Sequence, residues 1–513
     1  MKARLAMLRN VAWVGFSSYI EAASGLIVGV LIARTLGPTN YGHYAFSIWL
    51  CSVLIMASNN GLAMSSIKFL AEARGAGRSE IVSALVSRFA RLQLLSSSLV
   101  MCVFIVVMVL RPIDDWRAAL PLMVSLAVVG AWSRAGFWMW GSISSGHELF
   151  RPKNLTMALM AVINVLAVAL LAWQGAGLLQ FFMLYAFLGL VSNVVLRWML
   201  WRSGIRSVRG AIPPDLAQRV RRHVLLTGMM VLLFVGTNRG VEMTLLKIYA
   251  SAESLAYFAI AGALTKGAVD LLAGGMSAVL LPAMARQFGA GGSRALAISL
   301  IESTRLYWMI GLIIAGLGLT VSEGLVHLLY GQRYEGAIPI LTWTLVVAGL
   351  AVVSGAAAAV LTASDRLIDR LRVILGALAI NLVLGLWLIP KFGLTGALVS
   401  LVLTQVADAL LLWFFAFRCV RVQLPIRPMV LQTMAATVAT ALACLTSEVL
   451  QLELGFVAAA AVFVLVYLPL CVVLRTLRAT EFEVISHIVA RLGPHANGAS
   501  RWIASLSRFT LID

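Results

Sequence analysis

The sequence predicts an all-α polytopic membrane protein of about 14 transmembrane helices, in two six-helix bundles followed by two further helices. Three observations carry this. Of 513 residues, 61% are hydrophobic and only 12% charged, where a soluble domain has about 45–50% and about 25%. The apolar residues come in runs of roughly 20, the length that crosses a hydrocarbon core of about 30 Å. The basic residues collect in every second connector between those runs, as membrane topology requires. One soluble core cannot absorb so many apolar runs, so the bilayer must solvate most of the chain.

In order, the expected spans are 11–33, 43–70, 91–110, 118–140, 154–173, 178–200, 223–247, 255–284, 296–320, 337–363, 371–390, 394–417, 428–448 and 453–474. The start, MKARLAMLRN, resembles the basic head of a signal peptide. The apolar run behind it is too long and has no small-residue cleavage site, so it reads as an uncleaved first span. With the N-terminus inside, the cytoplasmic connectors include Arg74–Arg91, Arg151–Lys153, Arg197–Arg222, Arg286–Arg305, Asp365–Arg372 and Arg418–Arg427. About 30 of the 40 Lys and Arg then lie inside and about six outside. An even number of spans returns the C-terminus to the cytoplasm. The net charge of +19, which would point to nucleic acid in a soluble chain, is here a topology signal, and no nucleic-acid partner is expected.

The domain boundaries follow. Residues 1–200 form the first bundle, and 201–222 a basic cytoplasmic linker carrying Pro213 and Pro214. Residues 223–418 form the second bundle, 419–475 two additional spans, and 476–513 a cytoplasmic tail. The apolar spacing of Phe482, Ile485, Val489 and Leu492, then Trp502, Leu506 and Phe509, suits two surface-lying amphipathic helices. A disordered tail is the alternative. The halves look related: LIARTLGPTNYGHYAFSI aligns with LLKIYASAESLAYFAIAG, setting Tyr44-Ala45 opposite Phe258-Ala259. At nearly the same offset, Asn164-Val165-Leu166 stands opposite Asn381-Leu382-Val383. Six spans per repeat is an even number, so the repeats share one orientation and enclose a cleft between them.

A charge inside the bilayer costs a few kcal/mol unless paired or wetted, so intramembrane charges are the functional candidates. They are Glu21, Arg134, Arg239, Glu242, Lys266, Asp270 and Asp408. Arg239 and Lys266 lie on the first hairpin of the second bundle, where a guanidinium forks onto phosphate oxygens and an ammonium adds a point charge. The competing reading is local pairing, Arg239 with Glu242 and Lys266 with Asp270. Arg134 is a further anion-binding candidate. It sits among Trp132, Trp138 and Trp140, so interfacial anchoring competes. Glu21, among Ser17, Ser18, Tyr19 and Ser24, is a candidate for ion coupling. Its competing role is as a carboxyl held by a basic residue of the other bundle. Asp408, Asp270 and Glu242 complete the ion-coupling set. Gly37-Pro38 closes the first span, and Tyr41 and Tyr44 beside it suit the outer interface.

Enzymatic chemistry finds little support. There is no GxxxxGK[ST], HExxH or GxSxG. Cys51, Cys102, Cys419, Cys444 and Cys471 have no metal-ligand spacing, and the six His are scattered. No metal or other cofactor is expected. Asp114-Asp115 is an acidic pair on a very short outer loop with no catalytic scaffold.

The stretch ARTLGPTNYGHYA, residues 33–45, resembles the N-terminal signature of bacterial polysaccharide transport proteins, which include the O-antigen flippases. They belong to the multidrug/oligosaccharidyl-lipid/polysaccharide exporter superfamily, which also holds the multidrug and toxin extruders. VEMTLLKIYASAESLAYFAIAGAL into VLLPAMARQF, VHLLYGQRYEGAIPIL and LTASDRLIDRLRVILGALAINLVLGLWLIPKFGLTGALVS look like the same family, in family order over most of residues 11–418. The resemblance implies alternating access between two six-helix bundles in a bacterial inner membrane, coupled to an ion gradient. It implies an undecaprenyl-pyrophosphate-linked sugar as cargo, for O-antigen or exopolysaccharide synthesis. Membrane lipid, a polysaccharide polymerase and chain-length proteins are the implied partners. The related lipid II flippases carry arginines in the first hairpin, whereas this chain has Glu21 there, which argues against that cargo. A multidrug or toxin extruder of the same fold is the main rival. A polysaccharide polymerase or ligase is the other, disfavoured because the outer loops are short.

Overall fold

In a computed structural model of the chain, the described residues are 2–59, 61–208, 210–364, 366–420, 422, 424–450 and 455–476, with side chains described from 19 onward except at 232, 234, 235, 237, 238, 275, 277–279, 282, 291, 367 and 448–450. The expected tail helices therefore lie outside the described residues. Among those described there are helices and no strands: α1 (Lys2–Asn59), α2 (Leu62–Gly75), α3 (Ser79–Leu110), α4 (Leu120–Gly146), α5 (Phe150–Trp173), α6 (Leu178–Arg202), α7 (Pro214–Val235), α8 (Val241–Tyr249), α9 (Ala252–Leu272), α10 (Gly274–Tyr330), α11 (Ile338–Val352), α12 (Ser354–Ala363), α13 (Leu367–Cys419), α14 (Ile426–Leu450) and α15 (Gly455–Val473).

Among the described residues, eleven helices are long and apolar enough to cross a membrane. Two of these are twice the needed length and break where glycine takes a positive φ: α1 at Gly37 (φ 73°), just before Pro38, and α13 at Gly393 (φ 54°). Past Gly393 the chain folds back so tightly that a Cβ on Gly396 would overlap the Leu388 carbonyl. Split at Gly37 and Gly393, the eleven give thirteen apolar stretches, against the fourteen or so expected from the sequence. The surface is inverted relative to a soluble protein: Leu95, Leu99, Val106 and Val109 form an exposed apolar face on α3, the face that lipid covers.

The described chain falls into two compact units. One comprises residues up to Ala259 with Leu384–Ala397, the other Ile260–Val383 with the residues from Leu398 onward. In the first, α2, α3, α4 and α6 close around Phe69, Leu85, Phe89, Met139 and Leu196, and a second cluster gathers Phe104, Trp116, Met123 and Phe182. In the second, α14 and α15 pack on α10, where Phe463 and Tyr467 stack 5.5 Å apart in a fully buried layer. The Phe463 ring fills the space that a Cβ on Gly316 would need, and Phe456 does the same at Gly324. Trp308 donates from Nε1 to the Met429 carbonyl at 3.1 Å. Gly316→Leu is therefore expected to expel the Phe463 ring and cost about 3 kcal/mol or more. Thermal unfolding of the purified protein, followed by the loss of its monodisperse species, checks this.

Candidate functional site

Arg239 is the one sequence-predicted cation that the fold places in an irregular backbone. Between α7 and α8, the residues Gly236–Gly240 (GTNRG) form a single π-helical turn, a geometry that often marks functional positions. Arg239 has φ 64°, which is strained for any residue with a Cβ. Its guanidinium carbon lies 5.4 Å from the centroid of the Phe258 ring. Nη1 is buried without a hydrogen-bond partner. Glu242, fully buried one turn on, acts on it electrostatically.

Lys266 pairs with Asp270 one turn later, and both side chains are mostly exposed; this is the local pairing the spacing allowed. Arg134 is half-buried. It turns inward, with its guanidinium 3.9 Å from the Tyr185 ring centroid and Nη2 donating to the Tyr185 carbonyl at 3.3 Å. Glu21 interacts electrostatically with Lys153 of α5. Lys153 in turn lies 5.3 Å from the Trp138 ring centroid. Asp408 is partly buried and interacts with Arg370, whose guanidinium donates to Thr362 Oγ1 at 2.7 Å. Tyr41, expected at the membrane interface, is buried in the protein. Among the described residues no group of His, Cys, Asp and Glu is arranged to hold a metal ion.

What the sequence did not expose is how α7, α8 and the start of α9 are held within the first unit. At one end, a Cβ on Gly42 would overlap the Ala252 carbonyl oxygen. Thr39 donates to Glu253 Oε1 at 3.0 Å. Asp115, dismissed above as loop acidity, takes an ion pair from Lys247 and lies 2.7 Å from His43 Nδ1. At the other end, Gly61 (φ 76°) sits against Val224, Thr227 and Gly228 with no room for a Cβ. Ser65 Oγ is 2.9 Å from His223 Nδ1. Arg219 forks onto both oxygens of Glu72 at 3.0 and 3.2 Å. Only the motif ARTLGPTNYGHYA signalled any of this, because it contains Gly42 and His43.

An α-helical fold with, among the described residues, eleven helices long and apolar enough to cross a membrane defines the class of a polytopic membrane protein. The family model described as "Polysaccharide biosynthesis protein" matches residues 7–288, and the chain belongs to that family. No curated protein matches the chain. Among solved structures, the lipid II flippase MurJ in an inward closed conformation is similar at 12% identity, with a TM-score of 0.67 over 90% of this chain and 98% of that one. An inward-facing multidrug resistance MATE family transporter is similar at 15% identity, with a TM-score of 0.64 over 80% and 97%. The Vibrio cholerae MATE transporter VcmN, in a point-mutant form, gives 14% identity and 0.60 over 81% and 96%. These likenesses establish the fold.

Proposed function

We propose that this protein is a flippase that carries an undecaprenyl-pyrophosphate-linked oligosaccharide, an O-antigen or exopolysaccharide repeat unit, across a bacterial inner membrane. The carrying observation is the placement of Arg239: a half-buried cation in a strained π turn, in a segment held at both ends by breakable polar contacts. Alternating access needs one end to release while the other holds. Glycine contacts, two ion pairs with part of their surface in solvent and a few hydrogen bonds suit such reversible closure, because each contributes only about 1 kcal/mol. Arg239 then takes the diphosphate by bidentate donation as the segment opens. Lys266 and Arg134 supply further positive charge along the path, and Glu21, beside Lys153, exchanges the coupling ion, with Asp270, Glu242 and Asp408 as lesser members of that set. Both termini lie in the cytoplasm, and the polymerase and chain-length proteins act on the delivered unit.

The test is deletion followed by lipid analysis. A complete lipid-linked repeat unit should accumulate in the cytoplasmic leaflet; normal export without the protein overturns the reading, and accumulation of an incomplete unit points to an enzyme. Resistance to organic cations that disappears on deletion, with export intact, would instead favour an extruder. The closing contacts have their own test. Glu72→Arg is expected to slow export several-fold through like-charge contact with Arg219, and Glu72→Arg with Arg219→Glu to recover most of it. Equal export in all three proteins would remove that pair from the cycle.

A further inference from the structure

We infer that the first unit carries a second anion site, outside the Arg239 region, that binds the phosphate headgroup of an anionic membrane lipid. It is a pocket of about 210 Å³ between α3 and α6 with α4 as its floor. Arg91 from α3 and Arg197 from α6 stand on its two sides, and its lining holds no carboxylate. Trp132 and Trp140 of α4 form its base, and the Arg197 guanidinium lies 5.3 Å from the Trp140 ring centroid. Arg91 donates from Nε to the Ser87 carbonyl at 3.4 Å, which directs its terminal nitrogens away from its own helix. Asn193 is 6% exposed and lines the pocket, with Oδ1 lacking any hydrogen-bond partner. Its amide packs so close to Gly136 that only glycine fits there. Two arginines with no carboxylate at one pocket have the chemistry of an oxyanion site.

The surroundings say which anion. Directly along α3, Leu94, Leu95 and Leu99 are exposed apolar residues, and on α6 Trp198 and Trp201 are exposed. These are the hydrocarbon-facing and interfacial surfaces of a spanning bundle. Leu94 itself lines the pocket, and Trp198 directly follows the lining residue Arg197, so the pocket adjoins both surfaces. A phosphodiester held by Arg91 and Arg197 leaves its acyl chains on the α3 leucines. A basic pocket between crossings at the cytoplasmic side is the arrangement that recognises anionic lipid headgroups.

The experiment uses the full chain purified in neutral detergent, titrated with dioctanoyl phosphatidylglycerol and read by native mass spectrometry. Saturable binding is expected, and it should weaken at least tenfold in Arg91→Gln with Arg197→Gln. It should weaken similarly in Asn193→Asp, which keeps the shape of the side chain while setting a negative charge in the pocket. Arg202→Gln, a cation outside the lining, is expected to bind as the parent does. Equal binding of dioctanoyl phosphatidylcholine, or no loss in the pocket variants, overturns the site. Binding of inorganic phosphate with none of phosphatidylglycerol overturns the lipid assignment. Export measured in the same variants separates this site from the transport reading: loss of lipid binding with export retained leaves the flippase proposal standing.

Discussion

Arg239→Gly is expected to raise the thermal stability of the protein while abolishing export of the lipid-linked unit. Two costs fall on the native arginine. Its φ of 64° is unfavourable by about 1 kcal/mol or more for any residue with a Cβ and nearly free for glycine. Its Nη1 is buried without a partner, a further penalty of about 1–3 kcal/mol. Glycine removes both, while leaving Glu242 without its nearby cation, which offsets part of the gain. A higher melting temperature with lost export is the signature of strain held for function. Arg239→Lys should keep the charge but not the planar fork, and so retain a minor fraction of export. Normal export by Arg239→Gly would remove this residue from the mechanism, whatever the melting temperature.

Gly42→Val is expected to prevent closure where the first hairpin meets the α8–α9 turn. The obstacle is the Ala252 carbonyl, a backbone atom that no rotamer change can move aside. Overpacking of this kind costs at least the roughly 1–3 kcal/mol seen in cores, so the closed population should fall about tenfold. The Thr39 and Glu253 side chains, joined at 3.0 Å, provide the readout. Cysteines placed at both positions should cross-link readily in an otherwise native chain and at least tenfold more slowly with Gly42→Val, and export should fall in parallel. Gly42→Ala should lie between, since even one carbon overlaps. Cross-linking and export at native rates in Gly42→Val would show that this contact is not made during the cycle.

Much of this fold was legible in the sequence because a bilayer punishes any unpaired backbone, leaving helices as the form for long apolar runs. Gly37-Pro38 was readable as a break for the same local reason, and the structure puts Gly37 at φ 73°. Local spacing also announced the Lys266–Asp270 pair, since one helical turn settles it. The partners of the other charges were not legible. Glu21 meets Lys153, and Arg134 meets Tyr185, 51 positions on. Nothing in an apolar stretch records which helix will lie beside it.

The sequence by itself determined that this chain is a helical membrane protein with basic connectors and seven candidate intramembrane charges, because hydropathy and charge act residue by residue. Only the tertiary structure decided that Asp115 joins His43 and Lys247, that Glu72 meets Arg219, and that Arg239 occupies a strained turn. It also decided that Arg91, Arg197 and Asn193 share one pocket. Those facts depend on which helix faces are set side by side. Close glycine contacts and shape fix that choice, and they leave no periodic trace along the chain.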